Sequence, residues 1–131
     1  LKLLDAEQPL FHHPIDNIGQ YNWGIDMAVM KWMAENLQGS DHTIETGCGY
    51  STVILAALSR KHTVVSPSHG EHQLIKEWCE KQGMSAGHIE FIADISQNVL
   101  PRYGPAKFDV IPIDGDHAIP APFIDWYYLA D

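Results

Sequence analysis

Three short stretches of this sequence carry side chains whose types and spacing could do chemistry. In Glu45-Thr46-Gly47-Cys48-Gly49-Tyr50-Ser51-Thr52 an acid precedes two glycines one residue apart, and a hydroxyl pair follows. Glycines so placed let a backbone turn sharply and pass close to a bound molecule. In Asp114-Gly115-Asp116-His117 two carboxylates and an imidazole fall within four residues. An unperturbed imidazole titrates near pH ~6.5, so His117 is a candidate general base for a hydroxyl proton; a loop histidine with a purely structural partner is the alternative. In Ser68-His69-Gly70-Glu71 the acid either reaches a ligand or folds back on Ser68 as a capping box.

The charge of the first stretch decides what its glycines could hold. A nucleoside triphosphate loop needs a lysine beside its Ser/Thr, but Tyr50 precedes Ser51 and no lysine lies between Lys31 and Arg60. A dinucleotide fingerprint needs three glycines; Thr52 stands where the third belongs, and Glu45 would repel a pyrophosphate. A cationic ligand reverses that sign. Opposite unit charges at ~4 Å attract by about 4 kcal/mol at an effective dielectric near ~20, before desolvation is subtracted.

Positioning these stretches requires a parallel α/β frame. Met27, Met30, Met33, Ala34 and Leu37 recur at helical spacing and Gly39 follows, which predicts a helix over Asp26–Leu37. Short apolar strands then alternate with helices: strands at 42–46, 62–66, 88–93 and 108–113, helices at 51–60, 71–82, 96–103 and 122–131. Such alternation predicts a parallel sheet with right-handed crossovers, and ligands of such sheets bind beyond the carboxyl ends of the strands. All three chemical stretches, and Ala93-Asp94-Ile95-Ser96-Gln97, fall at those ends. Pro112 lies inside the fourth predicted strand; since proline cannot donate to a ladder, the expectation is an edge position with the imide turned outward, paired to the first strand on one side only. Such an edge invites a second copy of the chain.

The 131 residues suffice for one domain with a core. Residues 1–25, with His12, His13, Tyr21 and Trp23, read as an irregular arm in which Tyr21 and Trp23 either cap the pocket or pack under the first helix. The formal charge of −9, with eight scattered Lys and Arg, argues against a nucleic-acid partner. No apolar run matches a membrane span of roughly 20 residues. Two cysteines, Cys48 and Cys79, read as free thiols of a cytoplasmic protein. The chain stops inside a predicted helix, so the expectation is a piece of something longer.

The first stretch closely resembles the first motif of class I S-adenosylmethionine-dependent methyltransferases, whose ligand carries a sulfonium and an ammonium and no phosphate. Ile113-Asp114-Gly115-Asp116-His117 resembles the "IDG-x-H" of a bacterial group of small-molecule methyltransferases, and the Ala93–Pro101 stretch resembles the adenine segment of catechol-type O-methyltransferases. The likeness spans roughly residues 40–131. It implies an α/β Rossmann-like three-layer sandwich with strand order 3-2-1-4, its C-terminal strands missing, over residues 26–131. It implies methyl transfer from S-adenosylmethionine to a small molecule, on oxygen. The implied cofactor set is Glu45, Gly47 and Gly49 for the methionine part, Glu71 for the ribose, Asp94 and Ser96 for adenine, and Thr46, Ser51, Thr52 and Asp114 beside them. The family's ribose acid is missing from the end of the second strand, which leaves Glu71, Ser66 or Ser68 for that task. His117 and Asp114 would face the acceptor. Mg²⁺ enters only as a candidate, because Asp114 with waters would hold it poorly and further ligands would have to come from beyond Asp131. The rival readings are a nicotinamide-dependent oxidoreductase and a non-catalytic cofactor-binding scaffold.

Overall fold

The structure, a computed structural model, describes residues 2–5, 9, 11, 24–103 and 107–130. A 3₁₀ turn (Lys2–Asp5) precedes α1 (Met27–Asn36), β1 (Ser40–Thr46), α2 (Tyr50–Leu58), β2 (Ser59–Val65), α3 (His69–Lys81), β3 (Ile89–Ile92), α4 (Ser96–Tyr103) and α5 (Ala121–Leu129). His12, His13, Tyr21 and Trp23 lie outside the described residues. Of the expected arm, Phe11 is buried against the edge of the Trp78 ring, and Tyr50 Oη donates to the Leu3 carbonyl.

Local chemistry sets the helix starts. Asp26 caps α1, its carboxylate accepting from the Ala28 amide at 2.7 Å, and Ser68 caps α3 through the Glu71 amide at 3.3 Å. Each such cap is typically worth about 1 kcal/mol.

The strands run parallel in the order β1-β2-β3, and their carboxyl ends are level: Thr46 pairs with Val65 and Val65 with Ile92. Segment 108–113 lies on the free side of β1, so the predicted order 3-2-1-4 holds spatially. It is not a continuous strand. It touches β1 at two isolated bridges, Thr43 with Val110 and Thr46 with Ile113. The reason is Pro112, and its orientation reverses the expected one. The Pro112 carbonyl accepts from the Thr46 amide at 3.2 Å, and the Val110 carbonyl accepts from Ile44 at 3.2 Å. In a strand a residue's nitrogen points the same way as its carbonyl, so the Pro112 imide faces β1, where the Ile44 carbonyl would need a donor. Among the described residues no strand pairs with the other side of this segment.

Alternation along the strands divides the interior into two layers. One face carries Met30, Met33, Val53, Ile54, Leu55 and Ile75 from α1, α2 and α3. The other carries Ile44, Val65, Leu100 and Leu129, closing on α4 and α5. Burying an aliphatic side chain of this size contributes roughly 1.5–3 kcal/mol. The interface between α2 and the sheet also holds a polar stripe, since Thr43, Glu45 and His62 are all buried there.

Candidate active site

Level strand ends put four connecting loops on one rim of the sheet, and a cavity of about 380 Å³ opens among them. Ligand pockets typically measure ~300–1,000 Å³. The first loop contributes Glu45, Gly47, Cys48, Gly49 and Ser51, the second Ser66 and Glu71, the third Ile95, Ser96 and Gln97, and the fourth Asp114, Asp116 and His117. Its wall therefore has four carboxylates and, among the described residues, neither lysine nor arginine.

Glu45 is 1% exposed and heavily engaged. Ser51 Oγ donates to its Oε2 at 2.8 Å, Thr52 Oγ1 donates to Oε1, and His62 Nε2 lies 3.1 Å from Oε1. Thr52 in turn accepts from the Gly49 amide at 3.1 Å, which fixes the start of α2. The hydroxyl pair that follows the glycines thus serves the acid first. Thr52 is fully buried and Thr46 Oγ1 is buried without a hydrogen-bond partner; neither lines the cavity.

Gly47 has φ +91°, and a Cβ built there would stand 2.3 Å from the Asp114 carbonyl oxygen. That glycine is required by the fit of the first loop against the fourth. The same contact brings Asp114 to the rim, with its amide donating to the Thr46 carbonyl at 3.0 Å.

Glu71 sends its carboxylate into the cavity, where Oε2 accepts from Cys48 Sγ at 3.2 Å; the same thiol lies 3.3 Å from Ser66 Oγ. The Ser68 half of the capping box forms, and Glu71 lines the cavity. Burial, with the nearby carboxylates, pushes the Cys48 thiol far above the usual cysteine range. That loop residue, its signal obscured between two glycines, was not anticipated as part of the wall.

The third loop separates its expected pair. Ser96 is buried and lines the cavity, with Oγ 3.2 Å from Gln97 Oε1. Asp94 is exposed and off the wall: its Oδ1 accepts from the Ile95 amide at 2.7 Å and from Asn98 Nδ2 at 3.0 Å, so it organises the start of α4. In the fourth loop His117 Nε2 stands 3.6 Å from Asp114 Oδ1, with the imidazole 69% exposed and the carboxylate 30%. Asp116 accepts from the Ala118 amide at 2.9 Å and holds the turn. Around Asp114 the near donor set is one carboxylate and one imidazole, and no group of three His, Cys, Asp or Glu able to hold a metal gathers among the described residues. This set fits an octahedral Mg²⁺ site poorly.

Solved structures of the same architecture include an SAH-bound methyltransferase from Podospora anserina, at 16% identity and TM-score 0.67, covering 85% of this chain and 52% of that one. The C-terminal domain of a Rhodobacter capsulatus precorrin-6Y C5,15-methyltransferase gives 11% identity and TM-score 0.61, over 89% of this chain and 64% of that one. An rRNA methylase from Streptococcus thermophilus gives 20% identity and TM-score 0.54, over 65% of this chain and 51% of that one. The chain thus spans about half the length of the first and third of these. No curated protein matches it. No helix among the described residues is long and apolar enough to cross a membrane. A methyltransferase-domain family profile matches residues 44–129, most of the sheet and all three chemical stretches, and the chain belongs to that family.

Proposed function

We propose that this chain binds S-adenosylmethionine and belongs to an enzyme that methylates a small molecule on oxygen. The observation that carries this reading is the cavity wall of four carboxylates with no lysine or arginine among the described residues. A pyrophosphate or a nucleic-acid backbone would meet only like charge there, whereas a sulfonium and an ammonium would be favoured. The bound cofactor would supply an electrophilic methyl group; the protein supplies alignment and a place for the proton.

Gly47 and Gly49 would border the methionine part, and the first amides of α2, which have no acceptor within the helix, would suit its carboxylate. Glu71, on the cavity wall, would take the ribose hydroxyls, and Ser96 with its neighbours would border the adenine. Bound S-adenosylmethionine would supply the methyl group, its S–C bond breaking to release SAH as the acceptor's O–C bond forms, and His117 would take the proton that the acceptor oxygen gives up. With Nε2 turned toward Asp114, Nδ1 is the ring nitrogen that accepts it, and Asp114 balances the imidazolium charge. The small-molecule, oxygen-acceptor assignment rests on the likeness of the fourth loop to the "IDG-x-H" group and on the acidity of the wall.

Calorimetric titration with SAH and with NADH tests the cofactor, followed by a survey of phenolic and amine acceptors with S-adenosylmethionine. SAH should bind and NADH should not; NADH binding alone would refute the reading. Binding without turnover across the survey would favour a cofactor-binding module.

A further inference from the structure

The buried stripe under α2 has a direction that its hydrogen bonds determine. Ser59 Oγ donates to the Leu55 carbonyl at 2.8 Å, in the last turn of α2. A hydroxyl has one proton, so Ser59 must accept from Thr43 Oγ1, 3.0 Å away. Thr43 has then spent its own proton, and it accepts from His62 Nδ1 at 2.8 Å. At the far side of the ring Nε2 stands 3.1 Å from Glu45 Oε1, which also accepts from Thr52. His62, with no exposed surface, therefore turns its Nδ1–H to Thr43 and meets Glu45 Oε1 through Nε2, with one proton held between that nitrogen and the carboxylate.

We infer that His62 is a positioning residue for the cofactor site: the chain Leu55–Ser59–Thr43–His62 fixes Glu45 Oε1 so that Oε2 faces the cavity. Among the described residues Oε2 receives one donor, Ser51, and a carboxylate oxygen can accept two. Glu45 lines the cavity with Gly47 and Gly49, which leaves the second position to a ligand bound there. This places the acid as an oriented acceptor for the ammonium end of the ligand. The inference rests on the cofactor reading above. Desolvation makes such an oriented acceptor dependent on its partner, because a buried polar group left unpaired is destabilised.

The test compares His62→Leu, which removes both donors, with His62→Gln, which keeps one amide donor, by calorimetry with SAH and with 5′-methylthioadenosine. The second ligand lacks the amino-acid end. In His62→Leu, SAH affinity should fall tenfold or more while 5′-methylthioadenosine affinity stays within twofold, and His62→Gln should recover most of the loss. A folded His62→Leu with unchanged SAH affinity, or an equal loss for both ligands, overturns the inference. Nitrogen-edited NMR of the ligand-free parent reads the pair independently of binding and of either variant's folding. Two exchange-protected ring protons on His62, with the Nε2 proton displaced in Glu45→Gln, are expected; a ring with one protected proton overturns it. If the parent binds neither ligand, the cofactor reading fails, and the NMR result still decides whether His62 holds Glu45.

Discussion

Replacing Gly47 with alanine separates two reasons for a glycine at one position. The first is backbone strain, since φ is +91° there and an L-residue in a left-handed conformation is disfavoured by about 1–2 kcal/mol. The second is collision: the new Cβ would lie 2.3 Å from the Asp114 oxygen and 2.8 Å from its carbonyl carbon. Both are backbone atoms, so no side chain can swing aside. Relief means moving the fourth loop off the first by about 1 Å, which strains the Asp114-to-Thr46 hydrogen bond of 3.0 Å, or moving the first loop, which strains the Gly47-to-Val65 bond of 2.9 Å. Weakening one of these adds ~0.5–1.5 kcal/mol. The sum is about 2–3 kcal/mol, a large share of the ~5–15 kcal/mol that holds a domain together. Gly39 is the internal control, because its φ is +80° and a Cβ added there would meet nothing within 4 Å. Gly39→Ala should therefore show the strain alone, offset in part by ~0.4–1 kcal/mol from the stiffer unfolded chain. Urea melts of the parent and both variants measure the difference. If Gly47→Ala is no less stable than Gly39→Ala, the packing of the first loop on the fourth is not what demands the glycine.

Acidification should destabilise the chain: burial lowers the His72 and His42 pKa values below ~6.5, so the unfolded state takes up those protons first and stability falls as pH drops through that value, by at most ~1.4 kcal/mol per pH unit per histidine. Among the described residues neither ring nitrogen of His72 has a hydrogen-bond partner, and urea melts at pH 7 and 5.5 should give a shallower pH slope for His72→Leu; an unchanged slope would contradict this. Alkylation should find both thiols sluggish at pH 7.5, because burial pushes Cys79 up to about 11 and Cys48 higher; against a pKa near 9.0 the Cys79 thiolate is about a hundredfold scarcer, and mass spectrometry showing labelling as fast as an exposed peptide thiol would refute it. Glu71→Gln should weaken SAH binding about ten- to a hundredfold, in line with loss of a charge-assisted hydrogen bond, and unchanged calorimetry would remove Glu71 from the ribose. For His117→Ala in an active preparation, turnover should fall ~10²-fold or more with SAH affinity within twofold, and identical rates across pH 6–9 would leave His117 without a proton to carry.

Much of the frame was legible because it depends on local pattern. The Met27–Leu37 periodicity gave α1 to within a residue at each end, and the alternation after Gly39 gave the parallel order. The loops of the cavity were legible too, since the rim follows from strand polarity alone. What escaped depends on contacts across the sheet. Glu45 and His62 are 17 residues apart on neighbouring strands, and a period of two says only which neighbours share a face. Gly47 was legible as a tight turn at the cavity, but the contact that demands a glycine there, with Asp114, lies far along the chain. Asp94 looked like an adenine ligand because an acid two residues before a helix serves either task, and only geometry shows it bound to Ile95 and Asn98. Pro112 was recognisable as a break, but not the side it broke.

That break divides the cavity mechanically. The near wall, Glu45 to Ser51, is built into the β1–β2 ladder and the first turn of α2. The far wall, Asp114 to His117, is carried by a segment tied to β1 by the amides of Asp109, Asp114, Ile44 and Thr46, with Pro112 silent between them. Regions of one protein open at different free energies, set by how many such ties must part together. Ile44 and Thr46 amide protons should therefore exchange with solvent sooner than those of the β2 interior, reporting detachment of the far wall alone. An acceptor could enter and a product leave through that hinge-like yielding while the cofactor's side of the cavity stays closed, so residence of the two ligands would be governed by separate clocks.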